Sequence, residues 1–180
     1  MEKIIEDLGK DLIDIVKDNS PKSLRKELKD DANIRLLRMV VFSLQWTSVG
    51  YQSALRLAGM KFGRRIGENS EKTELSLVLN EIKKIIEFLK GGKVEIEILP
   101  GVKGAQIKVY ESALVSGVPN ATQNLCFFEE GFIEGYIDGV IARSGPLAIA
   151  GESSSVKKVS VEEKICVGLG DDFCGFSINF

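Results

Sequence analysis

The chain has 180 residues, a net charge of −2 and 44% hydrophobic side chains, which predicts one domain with a buried core and at most a short appendage. The near-neutral charge argues against a large nucleic-acid surface, and the lack of histidine excludes Ser-His-Asp and Cys-His catalysis. No apolar run reaches the roughly 18–20 residues that cross a bilayer, and the N-terminus is acidic and unlike a signal peptide, so we expect a cytoplasmic protein.

The first 30 residues predict a helical appendage to a main domain of residues 31–180. Apolar residues recur at helical spacing between positions 2 and 18, and Asn19-Ser20-Pro21 ends that helix before a shorter one. The pattern favours a helix packed on the domain, and the alternative is a dimer arm or a partner-binding helix.

Residues 34–67 predict helix with a break near residues 47–50. Residues 39–44 are apolar and β-branched enough for a strand, but helix is the favoured interpretation. The second half, residues 51–66, places glycines four residues apart on one helical face: Gly59, Gly63 and Gly67. Each interior glycine costs about 1 kcal/mol relative to alanine, so we expect a close neighbour on that face.

A third helix over residues 71–90 and a hairpin follow. Leucines, isoleucines and valines form one face of the helix, and Gly91-Gly92 ends it. Residues 94–99 alternate apolar and acidic side chains, and residues 106–112 return after a Pro-Gly turn.

The fourth predicted helix, residues 121–143, has three different faces. A second glycine ladder lies on one face, at Gly131, Gly135 and Gly139, and we expect another helix or a ligand against it. The opposite face carries Cys126 and three aliphatic residues and is expected to meet the sheet. A narrow stripe of Glu130, Glu134 and Asp138 is expected in solvent.

The last residues predict a β-hairpin with two of the three cysteines. Residues 161–167 and 173–180 read as strands around Gly-Leu-Gly-Asp-Asp, and a turn centred on Gly170 would place Cys166 opposite Cys174. Opposed Cβ atoms lie roughly 4.5–5.5 Å apart. The two thiols could therefore share a metal, form a disulfide or stay free. Glu163 could join as an oxygen ligand only if a bulge or a strong twist turned it to the same side as Cys166.

These cysteines also carry a resemblance to a known family. The pattern Glu-x-x-Cys, seven residues, Cys, preceded by Cys126 at the start of a glycine-bearing helix, resembles the end of the 4-vinyl reductase domain. That family includes sensor domains of phenol-responsive activators and archaeal hydrocarbon-binding proteins, and it shares its fold with TRAPP vesicle-tethering subunits. The resemblance covers residues 51–180, with an insertion around residues 144–158.

The resemblance implies an α+β fold in which a helical layer packs on a four-stranded antiparallel sheet. It also supports a structural Zn²⁺ held by four residues, Cys126, Glu163, Cys166 and Cys174. Thiolate and carboxylate ligands in a tetrahedral arrangement suit zinc.

The resemblance further implies an apolar pocket. Its candidate lining is Phe42, Trp46, Tyr51, Phe62, Phe128, Gly131, Phe132, Gly135 and Tyr136, although each aromatic residue also fits an ordinary core. Because no histidine is available to hold a phenolic hydroxyl, we expect a purely apolar ligand such as a hydrocarbon or acyl chain.

The sequence thus predicts a homodimeric sensor or carrier of a hydrophobic small molecule, which would signal through a separate effector protein. A TRAPP-like dimeric scaffold without a ligand is one alternative. The other is a reductase acting on a vinyl group, but the sequence offers no general base, cofactor motif or Cys-x-x-Cys, so we predict no catalytic residue.

Overall fold

The computed structural model describes residues 34–99, 104–118, 120–151 and 153–180. The predicted appendage of residues 1–30 lies outside the described residues. No helix in the described part of the chain combines the length and apolar character that crossing a lipid bilayer requires.

Three helices precede the first strand, and they follow the predicted pattern. They are α1 (Ile34–Ser43), α2 (Val49–Gly67) and α3 (Leu75–Phe88). A 3-10 turn at Leu44–Trp46 separates α1 from α2, close to the predicted break. Residues 39–43 are helical rather than extended, and the buried side chains of Val41 and Leu44 hold this region against the core.

Four strands form the main sheet, as predicted, and two short strands form a separate pair. The six strands are β1 (Lys93–Leu99), β2 (Gly104–Tyr110), β3 (Leu147–Ala148), β4 (Ser155–Val156), β5 (Ser160–Ile165) and β6 (Cys174–Asn179). The main sheet is antiparallel throughout and has the order β1-β2-β6-β5. The short pair β3–β4 lies within the predicted insertion around residues 144–158.

One face of the sheet carries the core, and the other faces solvent. Buried residues alternate along the strands, with Ile107, Phe176 and Val161 on the inner face of three neighbouring strands. On the outer face, Lys108 of β2 makes an ion pair with Glu97 of β1 at 3.0 Å. The helices α3 and α4 (Phe127–Ser144) cover the inner face, with α3 next to β1 and α4 next to β5.

Helix α4 begins six residues later than predicted. The backbone before it is held to the closing hairpin instead, because Ala121 N–H donates to Gly168 O at 2.7 Å and the Asn124 side chain donates to Glu163 O at 2.6 Å. Cys126 is therefore the residue that immediately precedes the helix.

The two glycine ladders pack against each other. A Cβ atom on Gly59 or Gly63 would lie 2.2 Å from the carbonyl oxygen of Phe128 or Phe132 in α4. On the other side, a Cβ atom on Gly131 or Gly135 would lie 2.0 Å from a carbonyl oxygen of α2. The close neighbour expected from the sequence is thus the partner helix, not a ligand.

The acidic stripe of α4 was predicted to face solvent, and for two of its residues this is wrong. Glu134 accepts a hydrogen bond from Val161 N–H at 2.8 Å, and Glu130 accepts one from Glu163 N–H at 2.9 Å. Arg56 of α2 pairs with both carboxylates. Because β5 is an edge strand, its outward N–H groups need partners, and the two glutamates supply them.

Candidate metal centre and adjoining cavity

The structure brings the four predicted metal ligands together. Ligand atoms of Cys126, Glu163, Cys166 and Cys174 all lie within 4.8 Å of one another, and all four residues are buried. The Sγ atoms of Cys126 and Cys174 are 3.6 Å apart, and all three cysteines are free thiols. A disulfide needs a sulfur separation of about 2.05 Å.

A register shift in the closing hairpin explains why Glu163 and Cys166 converge. Residues three apart in a regular strand point to opposite faces. The pairing of β5 with β6 slips between Glu163 and Ile165, which is the bulge that the sequence argument required. Beyond the shift, a 3-10 turn at Val167–Leu169 and a positive φ at Gly170 close the loop and return the chain to Cys174.

Backbone hydrogen bonds hold the cluster in place. Cys126 N–H donates to Glu163 Oε2 at 3.0 Å, and Cys166 N–H donates to Asp171 Oδ2 at 3.0 Å. Glu163 Oε1, in contrast, is buried and has no hydrogen-bond partner among the described residues. A bound cation would satisfy such an orphaned buried carboxylate oxygen beside three thiols.

The pKa shifts within the cluster also favour a bound cation. Hydrogen bonds from the thiols of Cys126 and Cys174 lower the pKa of Cys166. Sharing its proton with Cys166 raises the pKa of Cys126. Burial and the nearby Cys166 charge raise the pKa of Glu163 to about 9. A divalent cation would allow all four groups to ionise, and the positive N-terminal end of α4 would add to its effect.

The donor set fits zinc. Two thiolates bound at about 2.3 Å to a tetrahedral zinc are about 3.8 Å apart, close to the observed separation of Cys126 and Cys174. Four protein ligands leave no open coordination position, which is typical of structural rather than catalytic sites.

A cavity of about 270 Å³ adjoins the cysteine cluster. Cys126 and Cys174 form part of its wall, so the candidate metal centre and the cavity share two residues. The other lining residues come from α1, α2, α3, α4, the sheet and the turn after β2: Leu37, Phe62, Ile85, Ile86, Leu89, Gly91, Val109, Ser112, Ala113, Leu114, Phe128, Glu129, Phe132 and Phe176.

Three of the nine predicted pocket residues line this cavity, namely Phe62, Phe128 and Phe132. Their rings lie together, with centroids of Phe62 and Phe132 5.9 Å apart. They belong to the part of the cavity wall that α2 and α4 contribute.

The other six predicted pocket residues lie elsewhere. Trp46 and Tyr51 are exposed, and Phe42 stacks edge-on against Trp46. Gly131 and Gly135 contact the backbone of α2, as described above. Tyr136 is fully buried in the core, where its hydroxyl donates to Glu81 Oε2 at 3.0 Å.

Sequence reasoning missed the α3 wall and Glu129. Ile85, Ile86 and Leu89 were assigned only to the apolar face of a helix, and nothing in their spacing separates a cavity wall from packed core. Glu129 did carry a signal, because Cys126, Glu129 and Phe132 are spaced three residues apart and so share one face of α4.

Two uncharacterized proteins of Methanocaldococcus jannaschii are similar in sequence. MJ1642 is 25% identical over 153 residues, which cover 85% of this chain and 81% of that protein. MJ0150 is 22% identical over 179 residues, covering 98% of this chain and 91% of that protein. No protein-family model matches the chain.

Three solved structures are similar in fold. A vinyl-4-reductase family protein from Methanocaldococcus jannaschii has 18% identity and a TM-score of 0.52, covering 99% of this chain and 92% of that chain. The phenol-responsive sensory domain of the transcription activator PoxR, solved with phenol, has 16% identity and a TM-score of 0.59, covering 82% of this chain and 74% of that chain.

The third structure is a trafficking protein particle complex subunit 3 from Naegleria fowleri, covalently bound to palmitic acid. It has 18% identity and a TM-score of 0.53, covering 82% of this chain and 94% of that chain. The four-stranded antiparallel sheet and its helical layer agree with these similarities. The chain therefore has the 4-vinyl reductase fold, which it shares with trafficking protein particle complex subunits.

Proposed function

We propose that the protein binds a small, mostly apolar molecule in the cavity between α3, α4 and the sheet, and acts as a sensor or carrier. The observation that carries this proposal is the cavity itself, about 270 Å³ of space lined almost entirely by aliphatic and aromatic side chains. A dry apolar cavity of about 150 Å³ already holds benzene, so this one has room for a larger molecule.

The structural neighbours support a ligand at this kind of site. The PoxR sensory domain was solved with phenol, and the trafficking subunit carries palmitic acid. Both molecules are largely apolar, like the lining of the cavity in this chain.

We propose that one Zn²⁺ braces the cavity wall through Cys126, Glu163, Cys166 and Cys174. The metal would supply a charge that links the start of α4 to β5 and β6, and it would take no part in a reaction. The support is the convergence of the four ligand atoms and the orphaned Glu163 Oε1. Since Cys126 and Cys174 belong to both sites, loss of the metal would loosen the cavity wall.

Cavity occupancy tests the ligand-binding proposal. We expect native mass spectrometry of the purified protein to show an adduct that organic extraction removes. Ala113→Phe should abolish the adduct, because Ala113 lines the cavity and a phenyl group would fill much of it. Ala142→Phe, at an exposed position of α4, is the matched control and should keep the adduct.

An adduct that survives in the Ala113→Phe variant would place the ligand elsewhere. If the wild-type protein carries no adduct and binds none of a panel of small aromatic and aliphatic probes, the proposal is wrong.

We also propose that the protein is a homodimer and passes its signal to a separate effector protein, in keeping with the cytoplasmic location predicted from the sequence. Support for an interface comes from α1 and the start of α2, where large apolar side chains are exposed. They include Met39, Val40, Trp46, Val49 and Tyr51.

A further inference from the structure

The cavity contains one acidic group with an oxygen atom that no described residue satisfies. Glu129 is largely buried and lines the cavity, and its Oε2 atom is inaccessible to solvent and has no hydrogen-bond partner among the described residues. Leaving a buried acceptor unsatisfied is unfavourable, so such a group in a ligand cavity indicates that something else supplies the donor.

The position of Glu129 on α4 directs it to the cavity. Three residues before it is Cys126 and three residues after it is Phe132, and both also line the cavity. The neighbouring glutamates, Glu130 and Glu134, lie on another face of the helix and bind β5 and Arg56. No ion pair to Glu129 occurs among the described residues, whereas Arg56 pairs with those two glutamates.

No other side chain of the lining donates a hydrogen bond to Glu129 Oε2 among the described residues. Apart from the thiols, Ser112 is the other polar side chain of the lining, and its Oγ accepts a hydrogen bond from Leu114 N–H at 3.3 Å. The Glu129 carboxyl is also poorly solvated, since burial raises its pKa to about 7.

We infer that Glu129 is the polar anchor of the cavity and accepts a hydrogen bond from an N–H or O–H group of the ligand. The ligand class is then a compact apolar body that carries a hydrogen-bond donor, instead of the pure hydrocarbon or acyl chain expected from the sequence. This inference rests on the proposed ligand-binding function and narrows its substrate class.

Three probes of nearly equal shape test the anchor. Indole carries an N–H donor, indene has a CH₂ group in that place, and benzofuran has an oxygen that cannot donate. Their dissociation constants are measured by isothermal titration calorimetry on the full chain. For the wild-type protein we expect indole to bind at least about tenfold more tightly than indene or benzofuran, the ratio that one hydrogen bond to a charged group produces.

Two variants of Glu129 separate its role from a general effect on the cavity. Glu129→Leu should make the dissociation constants of indole and indene about equal, because it weakens the binding of indole and strengthens the binding of indene. Glu129→Gln keeps a carbonyl acceptor and should retain part of the preference. Glu68→Leu, at an exposed site at the end of α2, is the control and should keep the wild-type ratio of the indole and indene dissociation constants. Zinc content and unfolding temperature of each variant show that fold and metal centre are intact.

The outcomes distinguish this inference from the proposed function. If the wild-type protein binds indole and indene equally, or if Glu129→Leu keeps the preference for indole, the anchor is refuted while ligand binding stands. If the folded wild-type protein binds none of the three probes, the proposed function fails and the inference fails with it.

Discussion

At the scale of single residues, one register shift decides whether the cysteines can form a site. Without the slip between Glu163 and Ile165, Glu163 and Cys166 would point to opposite faces of β5. With it, the carboxylate and the thiol meet Cys126 and Cys174 in one buried cluster. The hairpin thus supplies three of the four candidate ligands from a stretch of twelve residues, Glu163 to Cys174.

The role of Glu163 as a ligand leads to a prediction at this scale. We expect about one zinc per purified chain by metal analysis. Glu163→Gln should weaken zinc binding by at least about tenfold, because even outer partners of metal ligands are worth about 10–100-fold in affinity. The measurement is competition with a chromophoric chelator.

The neighbouring Glu162 provides the matched control, because its side chain is exposed on the same strand. Glu162→Gln should bind zinc like the wild-type protein. Equal zinc affinity in the Glu163→Gln variant would show that the carboxylate is not a ligand, and a zinc-free wild-type protein would remove the metal centre altogether.

At the scale of elements, the pair α2–α4 is the rigid part of the molecule. Each helix offers a row of glycines to the carbonyl groups of the other, so the backbones approach more closely than side chains would allow. Arg56, Glu130 and Glu134 then extend this pair to the edge of the sheet. The contact fixes α4, which carries both Cys126 and Glu129.

Alanine substitutions at two helical glycines should have opposite effects. Gly135→Ala should lower the free energy of unfolding by at least about 2 kcal/mol, because its Cβ would lie 2.0 Å from Met60 O and the helices would have to separate. Gly50→Ala, where the Cβ would meet only Ser48 Oγ at 3.8 Å, should raise it by up to about 1 kcal/mol. Chemical denaturation measures both.

An equal change in the free energy of unfolding of the two variants would show that the glycine contact between α2 and α4 is not a close one. If Gly135→Ala lowers the free energy of unfolding only slightly and leaves the zinc content unchanged, α2 and α4 can move apart without disturbing the metal centre.

At the scale of the whole molecule, the exposed apolar face of α1 and early α2 bears on assembly. Trp46 is 72% exposed and Val49 is 75% exposed, which is costly for large apolar side chains that remain in water. We expect size-exclusion chromatography with light scattering to give a dimer. Trp46→Glu should shift the protein toward monomer, since it would place a charge in the interface.

Leu77→Glu is the matched control for assembly, because Leu77 is exposed on α3, away from this face. It should leave the dimer intact. A wild-type protein that is monomeric at micromolar concentrations, or a Trp46→Glu variant as dimeric as the wild type, would contradict the proposed interface.

The sequence predicted the helices, the strands and the closing hairpin because these depend on local signals, whereas the whole fold and the joining of Cys126 to the hairpin were expected from the family resemblance. Hydrophobic periodicity fixed the helices and strands, and the spacing of Cys166 and Cys174 around Gly170 fixed the hairpin. What covers a helix face is a long-range property. A glycine ladder has the same spacing whether it meets a ligand or a helix, and Glu130 looks like any solvated acid until β5 is placed beside it.

The pocket residues show the same limit. Phe62, Phe128 and Phe132 line one cavity, whereas Trp46 and Tyr136, which are equally aromatic, lie on the surface and in the core. Aromatic character identifies large apolar side chains and does not say where the structure leaves space between them.

The interlocked glycines also limit how the protein can respond when its cavity fills. Neither α2 nor α4 can slide past the other without driving carbonyl oxygens into the opposite backbone, so this side cannot yield. The opposite wall is formed by Ile85 and Ile86 of α3, by Leu89 just after that helix, and by Ala113 and Leu114 in the turn after β2. Swelling of the cavity should therefore move α3 outward, and an effector that reads the occupied state would find the change on the outer surface of that helix.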